Sequence, residues 1–489
     1  MAYGHGITIQ ENPTAVAPTI VETVGGVQVV IGTAPVHLAD DPYAVTNVPI
    51  LIKDIGEAKR KLGYSDNFSN KFTICESIYT SLQLRGVAPI VFINVLDPNT
   101  HKTAVTDQSL TLTKGVGVIN DEGVLLSKVV VKSSTDATKT FVRNKDYTLS
   151  FGTDGKPIIA VITGGDIASA TAVKVSYEKV DPSKVTKANI IGGYDSTTGK
   201  SSGTELIQKV FPMLSVVPGI ILAPGWSHYP EVAAVLVAKA KNINGCFNAD
   251  VILDVDSSVV TKYENVPAWK NENGYTSERS EVLWPKVKIG SRVIWYSAVF
   301  GALLSYQDAQ TEGVPSDSPS NKALGISGAV LADGTTEVYL DIQQANYLNE
   351  NGIVTALNWG GWVAWGNNTG GYPAITDPKD RYINARRLMN WWGNSFVQAF
   401  FQNVDNLTDT RLIQNIVDNE NLRGNGYTSR GYIAGASIEF REDQNSTADI
   451  INGKVVFSAK IGGYTPAENI VYKLEFDPTF MVGALFGGE

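Results

Sequence analysis

Gly219-Ile220-Ile221-Leu222-Ala223, then Glu231–Asn242, then Asp250-Val251-Ile252-Leu253-Asp254-Val255 read in turn as strand, helix and strand. The two apolar runs are short and nearly continuous, whereas the segment between them places apolar residues at helical spacing. Strands that are apolar on both faces belong to a parallel sheet covered on both sides. Their alternation with helices is that of a doubly wound α/β unit. The same pattern lies upstream. Val27–Pro35 reads as a buried strand ending in a Gly turn, Thr73–Leu84 as a helix, and Ala88–Leu96 as a second buried strand. Buried strand and helix material resumes at Ala188–Gly193, and a helix is expected over Thr204–Phe211.

Between about His101 and Thr186 the period changes to two: Leu110/Leu112, Tyr147/Leu149/Phe151 and Val173/Val175/Tyr177 alternate, separated by turns such as Gly152–Gly155. That is an all-β module of sandwich size set into the α/β pattern. After Asp254 comes a long Gly- and aromatic-rich stretch to about Asn367. Two helices are then expected, Asp380–Gln402 and Thr408–Asn419, followed by strands near Ile433–Phe440, Val455–Ile461 and Ile470–Phe476. Residues 1–26 read as an extended arm, because Ile7 and Ile9 alternate, Pro13 and Pro18 bar a helix, and Ile20-Val21 run into Gly25-Gly26. The fold class is therefore α/β plus β and multidomain. The expected divisions are an N-terminal arm (1–26), an α/β core in two parts (27–100 and 187–377), an inserted β domain (101–186) and an α+β C-terminal assembly domain with its own arm (378–489).

Composition bounds the function. At 489 residues the chain exceeds one core, and a soft prior of ~100–200 residues per domain gives three or four. A net charge of −9 does not fit a nucleic-acid binder, which needs clustered Lys and Arg to release counterions. Cys75 and Cys246 are the only cysteines and read as reduced thiols. The start lacks a basic and apolar leader, and apolar runs stay below the ~18 residues of a membrane span.

Three constellations invite an enzymatic or ligand-binding reading. Gly192-Gly-Tyr-Asp-Ser-Thr-Thr-Gly-Lys200-Ser201 resembles a phosphate-cradling loop, with Asp254 as the acidic strand residue of a nucleotide hydrolase. However, the loop is one residue too long and carries Tyr194 where close backbone approach is needed. Ser227, His228 and Asp254 could form a triad at strand ends, although the chain has no Gly-x-Ser-x-Gly elbow and the bland reading is of turn residues near a helix cap. Trp359, Trp362 and Trp365 could form a carbohydrate platform; tight packing at a domain junction is the reading favoured. Arg386 and Arg387 open an aromatic helix whose apolar face is core and whose charged end is expected to pair with a neighbouring subunit. Four scattered histidines give no metal-ligand spacing.

An ordered series of motifs carries a resemblance. It comprises Val30–Pro35, Ile191–Gly203, Pro218–Ser227, Ala249–Asp254, Asp308-x4-Gly313, Pro319-Ser-Asn321, Gly352-Ile353, Trp365-Gly366 with Thr369, Asn384-Ala-Arg-Arg387, Asn445 with Gly453-Lys454, and Pro466-Ala-Glu-Asn-Ile470. In this order they resemble the contractile-tail sheath proteins of bacteriophages and phage-tail-like bacteriocins, over nearly the whole chain. Asn367-Asn368 departs from the family, which usually has Arg before Thr. The resemblance implies a subtilisin-like core without catalytic groups and a structural subunit with no cofactor. It implies partners that are other copies of the chain (hexameric rings in a helical polymer), a tail tube protein, and baseplate and tail terminator proteins. It implies contraction that drives the tube through a cell envelope, with neither nucleic-acid binding nor membrane insertion. A continuous chain favours a virion tail or bacteriocin particle, assembled in the host cytoplasm, over the usually split sheath of type VI secretion. Strand exchange between subunits is then expected at Ile7, Ile9, Ile20, Val21, Ile470, Tyr472, Leu474 and Phe476. Tube contact is expected at Arg411, Asp418 and Glu420 on the Thr408–Asn421 helix.

Overall fold

The computed structural model describes residues 25–136 and 138–487. Its centre is an eight-stranded sheet. The strands are β1 (Gln28–Gly32), β2 (Pro49–Ile52), β3 (Ile90–Asn94), β4 (Ile220–Leu222), β5 (Asp250–Asp254), β6 (Ser280–Leu283), β7 (Ile353–Asn358) and β8 (Trp362–Trp365). They lie in the order β2-β3-β1-β4-β5-β6-β7-β8. From β3 through β7 all neighbours pair in parallel, and only β2 and β8 close the edges antiparallel. Every residue of β1, β3 and β5 is buried, which explains their unbroken apolar spelling. Helix α1 (Tyr296–Gln310) packs on β4 and β5. It comes so close at Gly301 that an added Cβ would stand 3.3 Å from Leu222 and 3.4 Å from Ile252.

Lys102–Val180 forms a four-stranded and a three-stranded antiparallel sheet around a separate core that includes Val131, Tyr147, Leu149, Val173 and Val175. Its first and last strands pair with each other, Lys102 opposite Val180, and Asp181 N–H donates to the His101 carbonyl at 2.8 Å. The chain therefore leaves the α/β body and returns at one point.

The C-terminal part holds α2 (Ile383–Phe400), α3 (Thr410–Ser429), a two-stranded sheet of Gly435–Phe440 and Phe457–Gly462, and α4 (Pro478–Phe486). Its core gathers Leu388, Trp391, Trp392, Tyr427 and Ile433 with Val314.

Several sequence expectations are corrected. The Thr73–Leu84 helix is α-helical only over Ile74–Ser77 and widens to a π-helix over Ile78–Leu84. Ala188–Ile191 is helical, within Lys187–Ile191, and Gly203–Lys209 is a 3-10 helix before Val210–Leu214. The Asp380–Gln402 helix is interrupted at Tyr382, which is extended and bridges to Asn368. Trp359–Trp365 is the tip and returning strand of the β7–β8 edge hairpin, with Trp359 exposed, rather than a packed junction. Residues 463–477 have no regular structure, so the strand expected at Ile470–Phe476 is missing from the single chain, and an unforeseen helix follows it.

Candidate assembly site

The enzymatic constellations resolve first. Gly192–Ser201 folds as a hairpin, with Gly193–Asp195 paired to Lys200–Ser202. Gly192 is needed for this closure: its φ is +63°, and a Cβ there would lie 2.0 Å from the Ser202 carbonyl. A phosphate loop aims free amides from a helix start. Here a strand follows, and Asp195 accepts from Thr197 N–H at 2.9 Å and Thr198 Oγ1 at 2.6 Å, so the turn satisfies itself. Asp254 is buried and accepts from Ser227 Oγ at 3.1 Å, Ser297 N–H at 2.9 Å and Ser297 Oγ at 2.5 Å. Burial lifts its pKa to about 6. Lys200 is exposed at the hairpin. The nucleotide-hydrolase reading is therefore withdrawn. Ser227 and Asp254 do meet, but His228 stacks on Trp295 with centroids 4.7 Å apart, and burial lowers its pKa to about 4. With Ser227 bonded directly to the carboxylate, no histidine stands between nucleophile and acid as a triad requires. Among the described residues no group of His, Cys, Asp and Glu could hold a metal ion, and no helix is long and apolar enough to cross a membrane.

Helix α2 fastens the C-terminal part to the sheet. Arg387 grips Asp308 with both branches, Nη2 to Oδ2 at 2.5 Å and Nη1 to Oδ1 at 3.1 Å, each side chain about 2% exposed. One turn on, Asn390 donates to Asp250 Oδ2 at 2.9 Å and accepts from Arg279 at 2.7 Å and Arg386 at 3.0 Å. A further turn on, Asn394 and Asn248 exchange bonds of 2.7 and 2.9 Å. Positions three and four apart share a helix face, so this polar stripe lies on the sheet body while Trp391 and Trp392 meet Tyr427 of α3. Arg386 pairs with Asp380 at 2.7 Å. The expectation that this charged end reaches a neighbouring subunit is thus overturned: both arginines are held within the chain. Breaking a buried pair by removing one partner costs roughly 3–5 kcal/mol, so this pair fastens α2 firmly to the sheet body.

What α2 carries is open at one edge. Gly435–Phe440 and Phe457–Gly462 pair only with each other. Asn421 of α3 occupies the outer edge of the first, accepting from Ile438 N–H at 2.9 Å and donating to its carbonyl at 3.1 Å, so among the described residues the edge without a strand partner is that of Phe457–Gly462. The tail beyond is pinned at its root, where Asn384 donates to the Tyr464 carbonyl at 3.1 Å and Arg381 pairs with Glu468 at 2.7 Å. After that, Ile470, Tyr472, Leu474 and Phe476 are each more than 80% exposed. Alternate residues of an extended segment lie on one face, so these four form an apolar stripe that no described residue of their own chain covers. Ile7, Ile9, Ile20 and Val21 lie outside the described residues. The description begins at Gly25, whose N–H donates to the Gly313 carbonyl at 2.9 Å and whose own carbonyl takes Arg387 Nη2 at 3.3 Å.

The three expected tube-facing residues do not act together. Arg411 and Asp418, seven apart, are both exposed on α3. Glu420 is buried and paired to Arg423 at 2.5 Å. Two residues past Asp418 is roughly 200° round the helix, so Glu420 points inward and drops out of that surface. The sequence reading missed α4, although its signal was present: Asp477 caps it and Pro478 occupies the first turn.

These elements define a chain with a buried parallel-sheet body and exposed apolar segments that its described residues leave uncovered. No family model matches the chain. The chain is 25% identical to the tail sheath protein of Burkholderia phage BcepMu over 506 aligned positions, covering 100% of this chain and 99% of that one. In fold it is similar to a chain of the anti-feeding prophage baseplate, with TM-score 0.57, 14% identity and coverage of 98% and 100%. It is also similar to the helical sheath of that prophage in its contracted state, with TM-score 0.54, 13% identity and coverage of 98% and 100%. Over its whole length the chain thus resembles the contractile tail sheath proteins, and the relatives it matches are named as structural tail sheath proteins and not as enzymes.

Proposed function

We propose that the chain polymerises as stacked hexameric rings around a tail tube and contracts to drive that tube through a cell envelope. The carrying observation is the pairing of an open-edged two-stranded sheet with an uncovered, alternating apolar segment on one subunit. Ile470–Phe476 adds a strand to the Gly435–Phe440/Phe457–Gly462 sheet of an adjacent copy, and the N-terminal arm with Ile7, Ile9, Ile20 and Val21 serves a second neighbour. At ~0.5–1.5 kcal/mol net per backbone hydrogen bond, a five-residue strand contributes a few kcal/mol per junction, repeated at every subunit. Links of this kind persist while subunit bodies rotate if the root gives way, since residues 463–469 have no regular structure and are held to the body by side-chain bonds at Tyr464 and Glu468.

The parallel core serves as a subtilisin-like scaffold without catalytic groups. Domain limits follow as 1–26, 27–100 with 187–377, 101–186 and 378–489. The inserted module points outward, and Arg411 and Asp418 face the tube. The partners are other copies of the chain, the tube, baseplate and tail terminator proteins, in a virion tail or bacteriocin particle assembled in the host cytoplasm. Negative-stain microscopy of the full chain, co-expressed with its tube protein, tests this beside a chain ending at Thr465. Hollow striated cylinders from the first and soluble monomers from the second are expected. Cylinders from both would refute strand exchange by the C-terminal tail.

A further inference from the structure

A polar groove of about 400 Å³ runs between the loop that begins at Ser316 and the root of the C-terminal tail, residues 464–468. Asn384 of α2 and Asn367 line it, each only 4% exposed. Asn384 spends its amide nitrogen on two carbonyls, Ser316 at 2.9 Å and Tyr464 at 3.1 Å. It thereby ties both walls together, and its side-chain oxygen is the group it has left to offer. Asn367 has its backbone engaged, its N–H with Asn349 Oδ1 at 3.1 Å and its carbonyl with Ile383 N–H at 2.9 Å. Among the described residues, neither side-chain oxygen has a hydrogen-bond partner, although both are buried. Buried acceptors are nearly always met by a donor, so this groove is built to receive N–H groups.

The chain enters the fold beside it. A Cβ on Gly25, the first described residue, would stand 2.9 Å from Pro315 Cδ, and the next residue, Ser316, is groove wall. Arg387 holds the Gly25 carbonyl at 3.3 Å. Asn384 is three residues earlier on the same face of α2, about 4.5 Å along its axis. The 24 residues before Gly25 therefore leave the body within one helical turn of the groove. Three extended residues span about 10 Å, enough to pass both asparagines. In an extended segment the amides of alternate residues point the same way, which puts those of Glu22 and Val24 on one side.

We propose that residues 22–24 of the same chain lie in this groove, with the Glu22 and Val24 amides donating to the side-chain oxygens of Asn367 and Asn384. The groove then seats the roots of both terminal arms side by side, and Ile20 and Val21 emerge from it free to meet a neighbouring copy. The seat needs no second copy, so it stands or falls independently of polymerisation.

Hydrogen exchange on the dilute, unassembled full chain tests this. The Glu22 and Val24 amides should exchange at least tenfold more slowly than those of Ala15 and Val16, and Asn367→Ala should return one of the two to the faster rate. Uniformly fast exchange through residues 1–24 would mean that solvent alone meets both oxygens, and would overturn the proposal. A second measurement pairs Thr23→Cys with Thr465→Cys under mild oxidation, on a Cys246→Ser background that removes the partly exposed thiol. The comparison pairs Thr23→Cys with Glu312→Cys. Both partner positions are exposed, but Thr465 lines the groove whereas Glu312 precedes Gly313 and pairs with Arg430. Disulfides within one chain should form at least fivefold more in the first pair. Equal yields in the two pairs would show an arm with no fixed seat, and linkage only between copies would give the groove to another chain's arm; either result overturns the proposal.

Discussion

Glu76 lies wholly buried, its Oε2 accepting from the Trp295 N–H at 2.9 Å. Burial pushes its pKa from the usual 4.5 to about 8, with the Trp295 amide and the Lys286 charge opposing. An acid with a raised folded pKa holds an extra proton in the folded state across that window. Its contribution to stability is therefore full below about pH 4.5 and is lost as pH rises towards 8. Glu76→Gln keeps an acceptor for Trp295 and carries no charge, so it should stabilise the chain by about 1–3 kcal/mol near pH 9 and change little near pH 4.5. Thermal melts at the two pH values check this, and an equal shift at both would defeat the argument. Nothing in the sequence around Glu76 announces its burial, because its partners are supplied from more than 200 positions away. The same holds for Arg387, whose basic pair with Arg386 reads as a surface patch until Asp308 closes on it. Ser227 and Asp254, by contrast, were correctly singled out as neighbours, and only the histidine's stacking on Trp295 removes the chemistry.

Strands buried on both faces are legible because composition alone marks them, and β1, β3, β4 and β5 stand close to where their apolar runs place them. Helices are less sharp. The helical spacing of Thr73–Leu84 does not reveal that its hydrogen bonding widens to the π pattern after Ser77. The tail is the instructive case. Ile470, Tyr472, Leu474 and Phe476 alternate as a strand should, yet a strand requires an edge to pair with, and among the described residues this segment pairs with none in its own chain. The alternation therefore fits the exchange proposed above. Tyr472→Pro removes one N–H from the pairing segment without touching packed structure, since the residue is 81% exposed. Its melting temperature should match that of the unmodified chain, while cylinders become scarce in micrographs at equal concentration. Normal cylinders from this variant would mean that the segment does not pair.

The molecule as a whole is organised around one interruption. The change from mixed apolar runs to a period of two was visible near His101 and Thr186, because sheet periodicity is a property of each residue's neighbours in sequence. Its independence was not, since that depends on how little the module touches the body. The contacts are modest. Leu125 and Val180 join the main core, and Phe151 approaches His37 with ring centroids 6.1 Å apart. The two ends of the module are already hydrogen-bonded neighbours, so their separation is near that of a paired antiparallel position, ~5.5 Å between Cα atoms. A single glycine can bridge it. Excising residues 102–180 and joining His101 to Asp181 through that glycine should therefore leave a folded chain. The loss is the burial of Leu125 and Val180, ~1.5–3 kcal/mol for each, partly recovered because the module's own ordering entropy no longer has to be met. Melting several degrees lower, with the C-terminal sheet, groove and tail unchanged, the shortened chain should still form cylinders, narrower ones if the module points outward. Cylinders of unchanged diameter would place the module inside the wall. A chain that collapses into aggregate would show that the module and the parallel sheet fold as one body.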